Sequence, residues 1–386
     1  MIEPHIEVYD VEKVNTNQYG SAGKICLVGA FPSSTFQMGV FTNLDEAKDS
    51  VKGEYKVPGD NSVANANKTV VPTTYEAFYC LDEIFMNNTQ TLGAESVLLV
   101  NTNFDKQTLS TAMTNSDIAS AFLLITDEDI DILCFAEAFS LAGNEGAINT
   151  VWATIKAFID SQFQSQRPMG LITAVDLTSS TLAQVQSLKT LFADKGVYKL
   201  VTTKIRLNGE SESLSLAQSG CWHAAFTSGR AVNLSETGKT YDGIIGESTK
   251  DNLPLGTTPY SYKDLMDNGF LTTKYGNRRL STIKCLNNLT PAGYDMKIER
   301  VKNYIVKRLT LEDILGMDNV ATTRDYIKGL FEYEKQLAMN NNYLTDMEYE
   351  ITSVDSETVE ALLKLYISDI VRVVVLKVEL NITEEA

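Results

Sequence analysis

The sequence predicts a mixed α/β (α+β) protein, and three observations carry that reading. Between about residues 24 and 202, short apolar runs of strand length alternate with helical runs of roughly 12–16 residues, the pattern of a parallel or mixed sheet carrying helices. From 208 to 259 the period dissolves into Gly, Ser and Thr, which separates that stretch from a second, more charged half. At both ends apolar and polar residues alternate with the two-residue period of a strand. A chain of 386 residues is long enough for two compact units or one unit with a large insertion.

The elements follow in order. Ile2, Ile6 and Val8 share one parity against Glu3, His5, Glu7 and Tyr9, and Pro4 removes a ladder donor, which suits an edge strand. Residues 15–23 read as a connector, 24–30 as a buried strand and 45–52 as a short helix; the Asn- and Gly-rich stretch 53–71 reads as a loop. Thr73 and Glu76 form a capping-box pattern ahead of a helix whose apolar side holds Tyr75, Phe78, Tyr79, Ile84 and Phe85. Strands follow at 96–100 and 132–135. A helix over about 145–162 carries Ile148, Val151, Trp152, Ile155 and Ile159 at helical spacing. Next come a strand at 169–175, a helix at 182–193 closed by Gly196, and a strand at 197–202. Beyond the 208–259 tract, a short helix at 261–268 stops at Gly269, and strand-like runs occupy 270–273 and 280–286. Two charged amphipathic helices span roughly 295–309 and 322–338, before a strand at 348–354. The chain closes on two alternating runs, one carrying Leu363, Leu365 and Ile367 and the other Val374, Leu376, Val378, Leu380 and Ile382.

Charge and composition narrow the function. A formal charge of −17 opposes phosphate backbones and anionic bilayers, so neither nucleic acid nor membrane is an expected partner. No run approaches the roughly 20 apolar residues of a membrane span, and the N-terminus lacks a secretory pattern, so folding in cytosol is expected. The five cysteines are far apart without a CxxC pair; Cys26, Cys80 and Cys134 sit in apolar surroundings and read as buried thiols rather than disulfide partners.

Little here serves catalysis. The two histidines are His5 and His223, and the i, i+2 spacing of Cys221 and His223 places a base poorly for a thiol nucleophile, so the pair reads as turn or core. Lys239-Thr240 ends like a phosphate loop, but the first glycine of that motif would fall at Asn233. Asp127, Glu128, Asp129 and Asp131 lack the glycine and bidentate glutamate of a calcium loop and read as a solvated turn. No metal, cofactor or catalytic residue is assigned. The one basic island is the 295–309 helix, where Lys297, Arg300 and Arg308 lie off the apolar stripe of Met296, Ile298, Val301, Ile305 and Leu309. It is either an ordinary solvated face or a strip that docks on an acidic partner. The terminal strands either complete their own subunit's sheet or pair with another chain, since exposed edges recruit strands.

The order of segments resembles the contractile phage tail sheath family, in a compact version of the kind also found in phage-tail-like injection systems. The resemblance runs through 23–30, 41–47, 75–85, 95–100, 133–139, 170–176, 261–270, 300–309 and 323–330, and ends with the final pair of strands. It implies a structural subunit, not an enzyme, that assembles in the host cytoplasm into six-membered rings or a six-start helix around a tail tube of a different protein. Baseplate and tail terminator proteins are its further partners. It also implies contraction from a metastable extended state without nucleotide, with terminal arms lent to neighbours. On that basis residues 1–22 are an N-terminal arm and linker, 23–100 with 250–370 an inner domain, 101–249 a middle domain, and 371–386 a C-terminal arm. Ile2, Ile6, Val8, Val374, Leu376, Val378 and Leu380 are the arm positions, residues 15–23 and 368–369 the linkers, and Lys297, Arg300 and Arg308 the tube-facing set. The rival readings are another virion or tail-associated structural protein, and an α/β enzyme using Cys221 and His223.

Overall fold

A computed structural model describes residues 24–52, 75–90, 96–106, 108–143, 148–165, 167–194, 196–207, 210–237, 239–246, 260–277, 282–309, 321–353 and 359–367. The arm positions, both linkers, the 53–71 loop and the Thr73 cap lie outside these residues.

The first half builds a sheet with helices on both faces. β1 (Lys24–Gly29) is followed by β2 (Met38–Phe41), α1 (Leu44–Val51), α2 (Glu76–Gln90) and β3 (Ser96–Asn101). Then come α3 (Asn115–Leu124), β4 (Ile132–Phe135), β5 (Ala138–Ser140), α4 (Thr150–Gln164), β6 (Gly170–Asp176), α5 (Leu182–Leu191) and β7 (Val197–Val201). β1 lies between β3 and β4, all parallel, and β2 closes one edge antiparallel to β3. β4 and β5 line one side of β6 in succession, and β7 pairs with its other side. Because the sheet is covered on both faces, its strands are continuous apolar runs rather than alternating ones. Ile25 and Leu27 of β1 face the layer of α1 and α2, whereas Cys26 and Val28 face α3 and α4.

Strands from 24–101 and from 132–201 are hydrogen-bonded neighbours in a single seven-stranded sheet, which runs through the expected division at residue 100/101.

The second half adds β8 (Ile205–Leu207), α6 (Leu216–Ser228), β9 (Thr240–Gly246), α7 (Tyr262–Asp267), β10 (Thr272–Asn277) and β11 (Thr282–Asn287). These strands form an antiparallel sheet in the order β10-β11-β9-β8. α8 (Met296–Arg308) and α9 (Ala321–Asn340) then lead into β12 (Asp346–Ser353) and β13 (Val359–Tyr366), an antiparallel ribbon. The alternation at Leu363, Leu365 and Ile367 is as expected: these three pack inward while Leu362, Lys364 and Tyr366 are exposed.

α6 contradicts the expectation of an irregular 208–259 tract, and the reason is physical. Eleven of its thirteen residues are buried, including Ser219, Gly220, Thr227 and Ser228, so no polar face exists to give a helical period. It lies against α2 and the central strands, and Gly220 permits the approach: a Cβ there would stand 3.0 Å from the backbone nitrogen of Ala174. The legible signal was its cap, since Ser215 and Gln218 form a reciprocal capping box. α3 was missed similarly, with its box at Thr114 and Asp117. The stop after α7 works as read, with Gly269 at φ +77°, where a Cβ would fall 2.4 Å from the nitrogen of Pro291.

Candidate assembly interface

The Cys221/His223 pair lies in the core. Cys221 and His223 sit on α6 and are both fully buried. Burial raises the Cys221 thiol well above its ordinary range. Burial, followed by the nearby Lys199 ammonium, pushes the His223 imidazole well below its own, which keeps it neutral. Its ring packs edge-on against Trp222 and Tyr241. A thiol that stays protonated beside no accessible base is a core side chain, not a nucleophile. All five cysteines are free and buried. Thr240 opens a strand, not the helix a phosphate loop requires. The acidic turn at 127–131 is tied to cations, with Arg167–Asp127 at 3.0 Å, Lys24–Glu128 at 2.6 Å, and Lys307 at 2.7 Å from both Asp129 and Asp131.

The polar centre of the core is structural too. Lys199 of β7, fully buried, donates to Glu236 Oε2 and Thr227 Oγ1, each at 2.6 Å. Glu236 also accepts from Tyr241 Oη at 2.7 Å and Thr227 Oγ1 at 3.1 Å. The Lys199 charge and these hydrogen bonds outweigh burial and hold the Glu236 carboxyl below its usual range. The cluster joins β7, α6 and β9, and so couples the two larger sheets.

α8 carries the expected tube-facing set, Lys297, Arg300 and Arg308, and encloses much of it within the subunit. Arg300 is 1% exposed, its Nη1 and Nη2 donating to the backbone oxygens of Ala231 and Arg230. Lys297 is also buried. Arg308 reaches Glu334 of α9 through two bonds of 2.8 and 3.0 Å. The helix packs against both β7 and α9, so the face read as solvated is largely interior. An apolar stripe identifies the first face a helix buries but gives no warning of a second.

What remains open is the β12–β13 ribbon. Its inner face places Met347, Tyr349, Ile351, Leu363 and Leu365 against Ile327 and Phe331 of α9, with Phe331 and Tyr349 edge to face at 5.4 Å. Lys335–Asp346 at 2.8 Å and Tyr349 Oη donating to Glu332 at 3.2 Å fasten it further. Its outer face carries Glu348, Glu350, Leu362, Lys364 and Tyr366. Among the described residues it pairs with no third strand at either edge. A two-stranded ribbon is marginal without further packing, and unpaired edges are templates for another chain. Chemically this surface can accept strands.

No family model and no curated protein matches the chain. Solved structures do. A sheath tail protein from Listeria innocua superposes with a TM-score of 0.57 at 12% identity, over 90% of this chain and 96% of that one. A sheath tail protein from Desulfitobacterium hafniense gives 0.55 at 11% identity, over 94% and 99%. A chain of the anti-feeding prophage baseplate gives 0.60 at 12%, over 99% and 100%. The chain has the sheath-tail fold. The sheath-tail likeness spans nearly the full length of all three structures, so it includes the ribbon half as well as the α/β half. A fourth match, at a TM-score of 0.52, is a chain of the same baseplate in a contracted state.

Proposed function

We propose that this protein is a structural subunit of a contractile tail, a sheath protein that polymerises around a tube of a different protein and shortens to drive that tube into a target envelope. The observation that carries the reading is the β12–β13 ribbon, which among the described residues pairs with no third strand, in a chain of sheath-tail fold. Strands contributed by neighbouring copies satisfy its edges, and the segments available to do so are the alternating runs at Ile2, Ile6 and Val8 and at Val374, Leu376, Val378 and Leu380. Open-ended strand exchange of this kind produces a sleeve rather than a closed dimer. The sleeve is built in the host cytoplasm as six-fold rings or a six-start helix, with baseplate and terminator proteins at its ends. Contraction is then rigid-body rotation of subunits about their shared strands, with the lattice passing from a metastable to a stable packing.

The test is deletion of residues 1–14. The truncated protein keeps its far-ultraviolet circular dichroism and elutes as a folded monomer, but forms no long sleeves on electron micrographs. Normal sleeves from that protein overturn the arm assignment. Full-length assemblies show two lengths with different diameters; a single fixed length points to a tail-associated protein that does not contract.

A further inference from the structure

β2 ends the seven-stranded sheet on one side, and its α3 face is left open. Met38 and Val40 stand opposite Val100 and Leu98 in the ladder, so all four point to the same face of the sheet. Leu98 and Val100 share a core there with Ile118, Ala121 and Phe122 of α3. Met38 and Val40 lie beyond it, 37% and 51% exposed. Beside α3 a groove of about 330 Å³ has Gln37, Thr102, Phe104, Leu123 and Leu124 in its wall. Phe104, on the loop after β3, is 40% exposed and Leu123, on α3, is 80% exposed. Exposed apolar side chains scattered singly need no explanation, but four gathered at one corner around a groove mark a contact surface.

Charge decides what fits that surface. The two charged residues in the groove wall, Lys106 and Asp117, are bridged at 2.6 Å, and Asp105, which follows Phe104, is not part of the wall. The corner is therefore an uncharged patch on a chain of net charge −17. A basic or a polyanionic partner finds nothing there to pair with. Two copies of this chain repel wherever their acidic surfaces face each other, and the repulsion is least where the touching faces are neutral and apolar burial offsets it. The geometry points to a packing face between neighbouring copies: the apolar corner of β2 and α3 seats against a second copy of this chain, in a rigid-body contact separate from strand exchange at the ribbon. This inference deepens the sheath reading and rests on it for the assembly, while the contact itself requires only self-association.

Phe104→p-benzoylphenylalanine in the full-length protein sets a photo-crosslinker at the corner, and Leu123→Asp puts a charge there without touching the core. Illumination gives a covalent dimer whose crosslinked peptides both come from this chain. Leu123→Asp keeps its circular dichroism, cuts the dimer yield at least tenfold and raises the concentration needed for self-association, read by sedimentation velocity, at least tenfold. Leu182→Asp, at an exposed leucine on α5, changes neither. No crosslink, crosslinks only within one chain or only to a different protein, or Leu123→Asp associating as the parent does overturns the inference. The sheath reading fails or stands separately. Normal sleeves from Leu123→Asp keep that reading and overturn this contact, whereas dimers crosslinked at 104 in a protein that builds no sleeves support the contact alone.

Discussion

Removing Glu236 tests how the two larger sheets are held together. Lys199 and Glu236 are 2.6 Å apart and both essentially inaccessible to water. In Glu236→Ala the ammonium loses its counter-charge and keeps only Thr227, while Tyr241 and Thr227 lose their acceptor. Breaking a buried pair from one side costs about 3–5 kcal/mol, most of it from the stranded charge. For a chain of 386 residues the unfolding entropy is about 0.8 kcal/mol/K, so the midpoint falls by roughly 4–6 °C. Replacing both partners with apolar residues, as in Lys199→Met with Glu236→Leu, removes the stranded charge and recovers most of that loss. Scanning calorimetry of Lys199→Met, Glu236→Leu and the double variant closes the cycle. If Glu236→Ala stays within about 1 kcal/mol of the parent, or the two single losses simply add in the double variant, the cluster is not the tie described here.

Two further outcomes follow from other sites. Burial, with a smaller contribution from the neighbouring Asp82, raises the Glu83 carboxyl from 4.5 to about 7. The folded state therefore favours the protonated form, so its stabilising effect is complete below pH 4.5 and disappears as pH rises to about 7. Glu83→Gln abolishes this loss, worth up to about 3 kcal/mol, and flattens urea-denaturation stability across that window; an unchanged pH profile refutes the assignment. Arg308→Ala breaks the fork to Glu334 that links α8 with α9 and lowers subunit stability by about 1–2 kcal/mol in urea titration, discounted for the partial exposure of the arginine. Lys328→Ala, which removes the exposed Lys328–Asp325 pair, changes it by less than about 0.5 kcal/mol. Equal effects refute the structural role given to Arg308.

Most of the alternating strands and helices between 24 and 201, though not α3, β2 or β5, were legible because their signals are local. A strand buried on both faces is a continuous apolar run whatever covers it, α4 buries one stripe, and α5 and α7 end at the glycines Gly196 and Gly269. The same locality made the end of the chain readable, since the parity of Leu363, Leu365 and Ile367 already states which side of the ribbon faces the core.

Position in the molecule was another matter. α6 has no periodic signature because neighbours surround it, and those neighbours are distant in sequence, on α2, with Cys80 and Phe85, and on β1. Arg300 looked like a surface cation because arginine is seldom buried, and only the meeting of α8 with β7 and the 230–231 backbone puts it inside. Strand order is a contest among distant segments: β1 takes β3 and β4 as neighbours, a choice that composition along the chain does not record. Hydrophobic period and capping chemistry act within a few residues and are written in order, whereas burial of a charge and the pairing of strands depend on which segments meet. The sequence by itself determined the elements whose period or stop is local and the first face each one buries; the tertiary structure decided where a helix enclosed on all sides such as α6 lies, which charges face solvent or are enclosed, and which strands pair.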